Sequence, residues 1–159
     1  MSTTTDSAAV DESLDAITDA LLTASRLLVA ISARSIALVD DTITIPQFRT
    51  LVILSNEGPV NLATLAGLLE VQPSTIGRMV DRLVTAGLID RRPHPTSRRE
   101  LVVGLTTRGR RVVQKVTANR RKELARVVEK MPVRERRGLV RALTAFATAG
   151  GEPPYVDID

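Results

Sequence analysis

Residues 74–105 read STIGRMVDRLVTAGLIDRRPHPTSRRELVVGL, and this stretch decides the fold. Its first half places Ile76, Val80 and Leu83 on one side of a helix, with polar and basic residues on the other. Gly87 is typical of the position just after a helix end. Two candidate strands follow, residues 88–92 and the more apolar 99–105, with a Pro-rich loop between them. The stretch therefore predicts a helix and then a two-stranded hairpin.

Two more helices are predicted upstream. Thr44 and Gln47 have the spacing of a capping box, which starts a helix that the Gly58-Pro59 pair ends. Asn61 is a good N-cap for a short third helix, and the turn at residues 71–74 leads into the helix described above. Two short helices joined by a tight turn, followed by a hairpin, form a winged helix-turn-helix.

The flanking segments predict a helical dimerisation region. From about residue 11 to 31, apolar residues recur every three or four positions and cover more than one side of a helix. A long helix follows Thr106, Pro132 interrupts it, and a last apolar helix ends the fold. A second copy of the chain is the simplest cover for these apolar faces. The candidate dimerisation residues are Leu14, Ile17, Leu21, Leu139, Leu143 and Phe146.

The predicted fold class is mainly α with a small β-hairpin wing. The expected parts are a disordered tail (1–8), a first dimerisation helix (9–36), the winged helix-turn-helix lobe (43–106), C-terminal dimerisation helices (107–148) and a C-terminal tail (149–159).

Charge is distributed unevenly along the 159 residues. The net charge is −6 over residues 1–77, +10 over residues 78–122 and zero over the remainder. A dense positive block inside a folded pattern indicates a phosphate-binding face, although a solvated basic helix gives the same composition.

Composition argues against most other functions. The chain has no Cys, one His (His94) and 2% aromatic residues, which disfavours disulfides, metal sites and stacking of single-stranded bases. It has no catalytic constellation or Gly-rich phosphate loop, so no enzyme activity, metal or cofactor is expected. The polar start and the lack of 18 consecutive apolar residues predict a cytoplasmic protein without a membrane span, associated with the nucleoid through DNA.

The predicted interface follows from how a winged helix docks. N-terminal side chains of the second helix of the pair reach base edges in the major groove, and a wing arginine enters a minor groove. The candidate DNA-binding residues are Ser74, Thr75, Arg78, Arg82, Arg98 and Arg99.

Structural roles compete with these assignments. Ser74 and Thr75 are also suited to capping the helix, and Arg78 and Arg82 to pairing with Asp81 or Glu70. His94 fits a turn residue better than a ligand or a pH switch.

The motifs PQF, NLATLAGLLEV, TIGRMVDRL, AGLIDRR and LTTRG occur in this order, and residues 43–109 resemble the MarR (multiple antibiotic resistance regulator) family. The resemblance implies a homodimer on a pseudopalindromic double-stranded operator. It also implies a repressor released by a small aromatic or phenolic ligand held between the dimer region and the lobe. By position, Ser74, Thr75, Arg78 and Arg99 would touch DNA. Ser97 stands where the family usually has an acidic residue, which puts the rigidity of the wing in question.

Two further expectations remain open at this point. Arg49 is a candidate partner for a ligand carboxylate, with an ordinary surface charge as the alternative. The alternative function is an architectural or protein-interaction module that binds DNA nonspecifically.

Overall fold

The computed structural model describes residues 13–156. The predicted tail at 1–8, the first four residues of the predicted segment 9–36 and the last three residues of the chain lie outside this range. The elements in chain order are α1 (Leu14–Ala37), α2 (Ile45–Glu57), β1 (Val60–Asn61), α3 (Leu62–Leu69), α4 (Pro73–Thr85), β2 (Ile89–His94), β3 (Ser97–Leu105), α5 (Thr107–Lys130), α6 (Val133–Arg136) and α7 (Leu139–Ala149).

Local capping explains where the central helices begin. The Thr44 hydroxyl accepts from the Gln47 amide at 3.2 Å while the Gln47 side chain accepts from the Thr44 amide at 3.0 Å, which is the predicted capping box. Asn61 caps α3 by accepting from the Thr64 amide, and Thr106 caps α5 by accepting from the Gly109 amide. These side chains satisfy amides that have no partner within the helix.

The core lies within the lobe. Phe48, Leu51, Leu65, Val80 and Leu83 from three helices pack in a buried cluster with residues of the sheet. The first half of α5 adds Val112, Val113 and Val116, and the end of α1 adds Ile36. The helix-turn-helix and wing are therefore built on a continuous apolar core that also holds the start of α5.

Three details differ from the sequence-based expectation. The sheet has a third strand, β1, which pairs antiparallel with β3, so the strand order is β1-β3-β2. Strand β2 continues through Pro93 to His94 instead of ending at Arg92. Pro93 is tolerated because β2 is an edge strand and its register shifts at this point. A single-turn helix, α6, was also not predicted.

α4 ends at Thr85, and Gly87, the predicted stop, follows its C-cap with a φ of +73°. The Leu88 amide donates to Leu83 O at 3.0 Å and the Gly87 amide donates to Val84 O at 2.9 Å, the two bonds of a Schellman motif.

We expect Gly87→Val to destabilise the protein by about 1–2 kcal/mol, the cost of a left-handed conformation for an L-residue. The cause is backbone strain and not a clash, since an added Cβ meets no atom closer than Arg108 Nη1 at 3.8 Å. Thermal unfolding measures the effect, and Gly87→Asn, which tolerates this conformation better, is the control. Equal melting temperatures for wild type and the valine variant would contradict this turn.

The loop between α1 and α2 is fixed by Asp40. Its Oδ1 accepts from the Thr42 hydroxyl at 2.6 Å and from the Thr42 amide at 2.9 Å. These hydrogen bonds, with a smaller contribution from the positive charge of Arg108, hold the pKa of Asp40 below its usual value.

α1 and α7 leave large apolar surfaces uncovered. Only Ile31, Ser35 and Ile36 of α1 are buried, and α7 has no buried residue. α1 also meets the length and hydropathy criteria for a membrane span, with a mean hydropathy of 1.5 over 18 residues. A helix can therefore meet these criteria without 18 consecutive apolar residues. These criteria use length and composition alone, and a helix that packs inside a soluble protein satisfies them equally.

Candidate nucleic-acid interface

α4 presents one buried and one exposed side. Ile76, Val80 and Leu83 face the core, whereas Ser74, Arg78 and Arg82 are exposed and Thr75 is half-buried. The N-cap of α4 is Gln72, and no side chain caps it. The alternative that Ser74 or Thr75 caps the helix is therefore wrong, and both hydroxyls lie in the first turn of a helix that begins at Pro73.

The arginines of α4 are not engaged elsewhere. Within residues 13–156, the side chains of Arg78 and Arg82 make no hydrogen bond or ion pair. Asp81, the acid between them in sequence, is bound instead by Arg91 of β2. The predicted alternative, pairing with Asp81 or Glu70, is thus not observed, and both guanidinium groups are available to a phosphate or a base edge.

A groove of about 240 Å³ separates α4 from the start of α2. Thr44 and Gln47 line one side, and Thr75, Arg78 and Arg82 line the other. The positive end of the α2 dipole therefore lies beside the two α4 arginines, which adds to the positive potential here. Sequence reasoning assigned Thr44 and Gln47 only a capping role, because their closeness to α4 depends on how the helices pack.

The wing places Arg98 and Arg99 at the start of β3, beside the Pro95-Thr96 turn, and both are exposed. In the described part of the chain neither has a side-chain partner. His94 is the last residue of β2, and its Nδ1 accepts from the Thr96 amide at 3.2 Å, so it holds the turn that follows without lying in it.

Three braces hold the wing, although Ser97 supplies no carboxylate. Arg92 Nε donates to Asp90 Oδ1 at 2.6 Å, and its Nη2 donates to Leu105 O at 2.8 Å. The side-chain Nδ2 of Asn61 donates to Glu100 Oε1 at 2.5 Å, which joins the wing to the start of α3. Arg91 and Asp81 join β2 to α4.

These bracing residues were not predicted, and β1 explains why. Asn61 reaches Glu100 only because β1 pairs with β3 in the register Asn61↔Val102. The sequence gives one hint of these braces: three consecutive charged residues, 90–92, stand in the first predicted strand of the hairpin.

Arg49, the candidate ligand-binding residue, has a partner from the chain itself. Its Nη2 lies 2.9 Å from Glu152 Oε2, and its Nη1 lies 3.4 Å from Oε1. The pair joins α2 to the segment that follows α7, and both side chains are about half exposed. The carboxylate expected from a ligand is supplied here by Glu152.

The candidate dimerisation residues are mostly exposed. Leu14, Ile17, Leu143 and Phe146 have 78%, 42%, 51% and 57% of their surface accessible. Leu21 and Leu139 are half-buried. Leu22, Leu27 and Leu28 of α1 and Val140 of α7 extend these apolar faces.

Within residues 13–156, no three His, Cys, Asp or Glu side chains are grouped to hold a metal. The groups that line the site are guanidinium groups, hydroxyls and the start of α2. Such groups bind phosphate and base edges.

Comparison with known proteins agrees with this geometry. The MarR family model matches residues 43–101. The crystal structure of RV1404 from Mycobacterium tuberculosis is 74% identical, with a TM-score of 0.85, and the match covers 92% of this chain and 99% of that one. An uncharacterized HTH-type transcriptional regulator of Mycobacterium bovis, Mb0904, is 30% identical over 52% of this chain. The chain spans 58% of that relative's length.

A third comparison concerns the fold alone. The MepR F27L mutant of Staphylococcus aureus, solved bound to an oligodeoxyribonucleotide, is 20% identical with a TM-score of 0.63, and the match covers 84% of this chain and 96% of that one. Its likeness confirms the winged-helix architecture described above. The family match over the helix-turn-helix and wing, together with the near-complete match to RV1404, shows that the chain belongs to the MarR family of transcriptional regulators.

Proposed function

We propose that the protein is a homodimeric repressor that binds double-stranded DNA at a pseudopalindromic operator. The observation that carries this proposal is a set of arginines on α4 and the wing that have no side-chain partner within residues 13–156. The Asp81–Arg91 pair joins these two elements. Arg78 and the hydroxyls of Ser74 and Thr75 meet base edges in the major groove, and Arg82 meets phosphate. Arg98 and Arg99 meet the adjacent minor groove.

The apolar faces of α1 and α7 support the dimer. A second copy covers both faces with the same contacts, as a two-fold interface requires. Two lobes then read half-sites one helical turn apart, about 34–36 Å. With the apolar faces covered in this way, we expect the protein to be soluble and cytoplasmic, and to associate with the nucleoid through DNA. Light scattering that shows a monomer at micromolar concentration, or a chain that sediments with membranes, would contradict it.

Specific and nonspecific binding are separated by one comparison. Affinity is measured for the best genomic fragment and for random duplex of equal length, at the same salt concentration. A specific regulator binds its site about 10³–10⁷ times more tightly. Equal affinities would favour the alternative function, an architectural module with a nonspecific basic face.

We also propose that a small aromatic or phenolic ligand releases the operator. A ligand changes DNA affinity only if it binds one spacing of the two lobes better than the other. Spreading the lobes removes simultaneous contact with both half-sites, even when each lobe is intact. Operator retardation with and without phenolic acids tests this idea, and unchanged retardation at millimolar concentration would exclude that ligand class.

The wing arginine gives a further prediction. Arg99→Ala is expected to weaken operator binding. If Arg99 contacts a phosphate at the edge of the minor groove, the slope of log affinity against log salt falls by about one unit. Arg134→Ala is the matched control, because Arg134 is an exposed arginine on α6 that pairs with Glu135. Equal slopes and affinities for wild type and Arg99→Ala would show that the wing makes no contact through this residue.

A further inference from the structure

Part of β3 in the wing has no partner across the hairpin. The β2–β3 register is regular up to the pair Pro93↔Leu101, and the next pair is His94↔Ser97. Residues 98–100 of β3 therefore lie opposite no residue of β2, and we call them the wing bulge. A bulge interrupts the hydrogen-bonded ladder and changes the direction of the side chains that it carries. The two arginines of the wing thus stand on backbone that the ladder does not fix.

Asn61 holds the wing bulge at its third residue. Its Nδ2 donates to Glu100 Oε1 at 2.5 Å, and both residues are half-buried. Arg98 and Arg99, the other two residues of the bulge, are exposed and have no side-chain partner in the described part of the chain. Among residues 13–156, the bond from Asn61 is therefore the side-chain hydrogen bond that ties the bulge to the rest of the lobe.

The side-chain amide of Asn61 is engaged at both ends. Its Oδ1 accepts from the Thr64 backbone amide at 2.8 Å and caps α3, while its Nδ2 binds Glu100. Aspartate caps a helix equally well, but it has no donor and would place a second negative charge beside Glu100. Since Leu65 and Ala66 of α3 are buried in the core, Asn61 ties the bulge to a fixed part of the lobe.

The same bond engages the acidic group of the wing bulge. Glu100 directly follows Arg99, and a free carboxylate at this position would compete with DNA phosphate for the wing arginines. With its Oε1 bound to Asn61, Glu100 makes no ion pair with Arg98 or Arg99. Both guanidinium groups therefore keep their full charge for DNA.

We propose that Asn61 is a positioning residue for DNA binding, which fixes the wing bulge through Glu100 and so sets where Arg98 and Arg99 enter the minor groove. The inference deepens the proposed function and rests on the contact of these arginines with DNA. Groups that are held in their bound arrangement lose less conformational freedom on binding, so the affinity is higher.

The first measurement needs no DNA. Asn61→Ser keeps a capping hydroxyl for α3, since Ser and Asn are comparable N-caps, but the serine side chain is too short to reach Glu100. We expect lower NMR order parameters for the backbone amides of residues 98–100 and unchanged values on α4. Glu100→Ala removes the same bond and leaves the cap intact, so it should have the same effect. Glu100→Gln is the matched control, because it retains the acceptor and should behave as wild type.

A double-mutant cycle tests whether the effect on DNA passes through the wing. Asn61→Ser is expected to lower operator affinity about two- to tenfold, the range for the loss of one hydrogen bond. Replacing Arg98 and Arg99 together by Ala should then cost less affinity in Asn61→Ser than in wild type, because their contacts are already weakened. Arg82→Ala, on α4, is the control and should cost the same in both backgrounds. Retardation at one salt concentration measures all four affinities of each cycle.

Two results would overturn the proposal. The first is a set of order parameters at residues 98–100 that is equal in wild type, Asn61→Ser and Glu100→Ala. The second is an equal cost of removing the wing arginines in both backgrounds, or a coupling of Asn61 to Arg82 as large as its coupling to the wing. A wild type that retards no duplex would contradict the proposed function and the role of Asn61 in DNA binding, and the order parameters would still show whether Asn61 fixes the bulge.

Discussion

Gly109→Ala is expected to destabilise the protein by about 3 kcal/mol, the upper part of the usual range for overpacking. For a chain of this size the melting temperature should fall by about 10 °C. An added Cβ would overlap the carbonyl oxygen of Leu88 and lie 3.2 Å from Leu105 Cδ2. Because the obstacle is a backbone atom, no change of rotamer relieves it. Thermal and denaturant unfolding measure the loss.

The loss is large because this contact joins α5 to the lobe. The Leu88 carbonyl accepts from the Thr106 amide at 3.1 Å, and the Thr106 hydroxyl donates to Gly87 O at 2.7 Å. Moving the Leu88 carbonyl away from a methyl group at position 109 would strain both bonds. The start of α5 is thereby tied to the turn that ends α4.

Gly67→Ala is the matched control for this prediction. Gly67 lies within α3, and an added Cβ there meets no atom within 4 Å. Alanine should raise stability by up to about 1 kcal/mol through its better helix propensity. A melting temperature for Gly109→Ala equal to that of wild type would mean that α5 does not approach Leu88 as described.

The elements that were predicted correctly are those whose ends are set by nearby residues. The residues that cap or end these helices act through contacts with positions close to them in the chain, so the sequence alone reveals them. They are Thr44, Asn61, Gly87 and Thr106. The MarR family, and with it a regulator that is not an enzyme, is confirmed by the comparisons.

The features that were missed depend on distant residues. β1 has only two residues and exists because β3, about 40 positions later, pairs with it. A proline at position 93 predicts the end of its strand, yet the position of β2 at the sheet edge permits it. Periodicity within a segment carries no information about which strand lies at an edge.

The same distinction applies to the interface. Clustered charge, together with the way a winged helix docks, selects Arg78, Arg82, Arg98 and Arg99 as candidates. That none of these four side chains has a partner within the described part of the chain depends on which acids are engaged elsewhere. Asp81 is held by Arg91 and Glu100 by Asn61, and neither pairing follows from spacing in the sequence.

Phe146→Asp is expected to produce monomers and to lower operator affinity about 10²–10⁴-fold, the range that linking two binding modules contributes. Phe146 is 57% exposed on α7, a helix without buried residues, so the change leaves the core of the lobe intact. The mechanism is burial of an unpaired charge in the apolar contact between two copies. Light scattering measures the mass, and retardation measures the affinity.

Thr148→Asp is the control, since it adds the same charge in the same last turn of α7. At 100° per residue, position 148 lies about 200° from position 146, away from the face that carries Leu143. This variant should remain dimeric and bind the operator as wild type does. If Phe146→Asp stays dimeric with full affinity, the apolar face of α7 does not form the interface. The proposal that the dimer helices couple the two lobes on the operator would then be wrong as well.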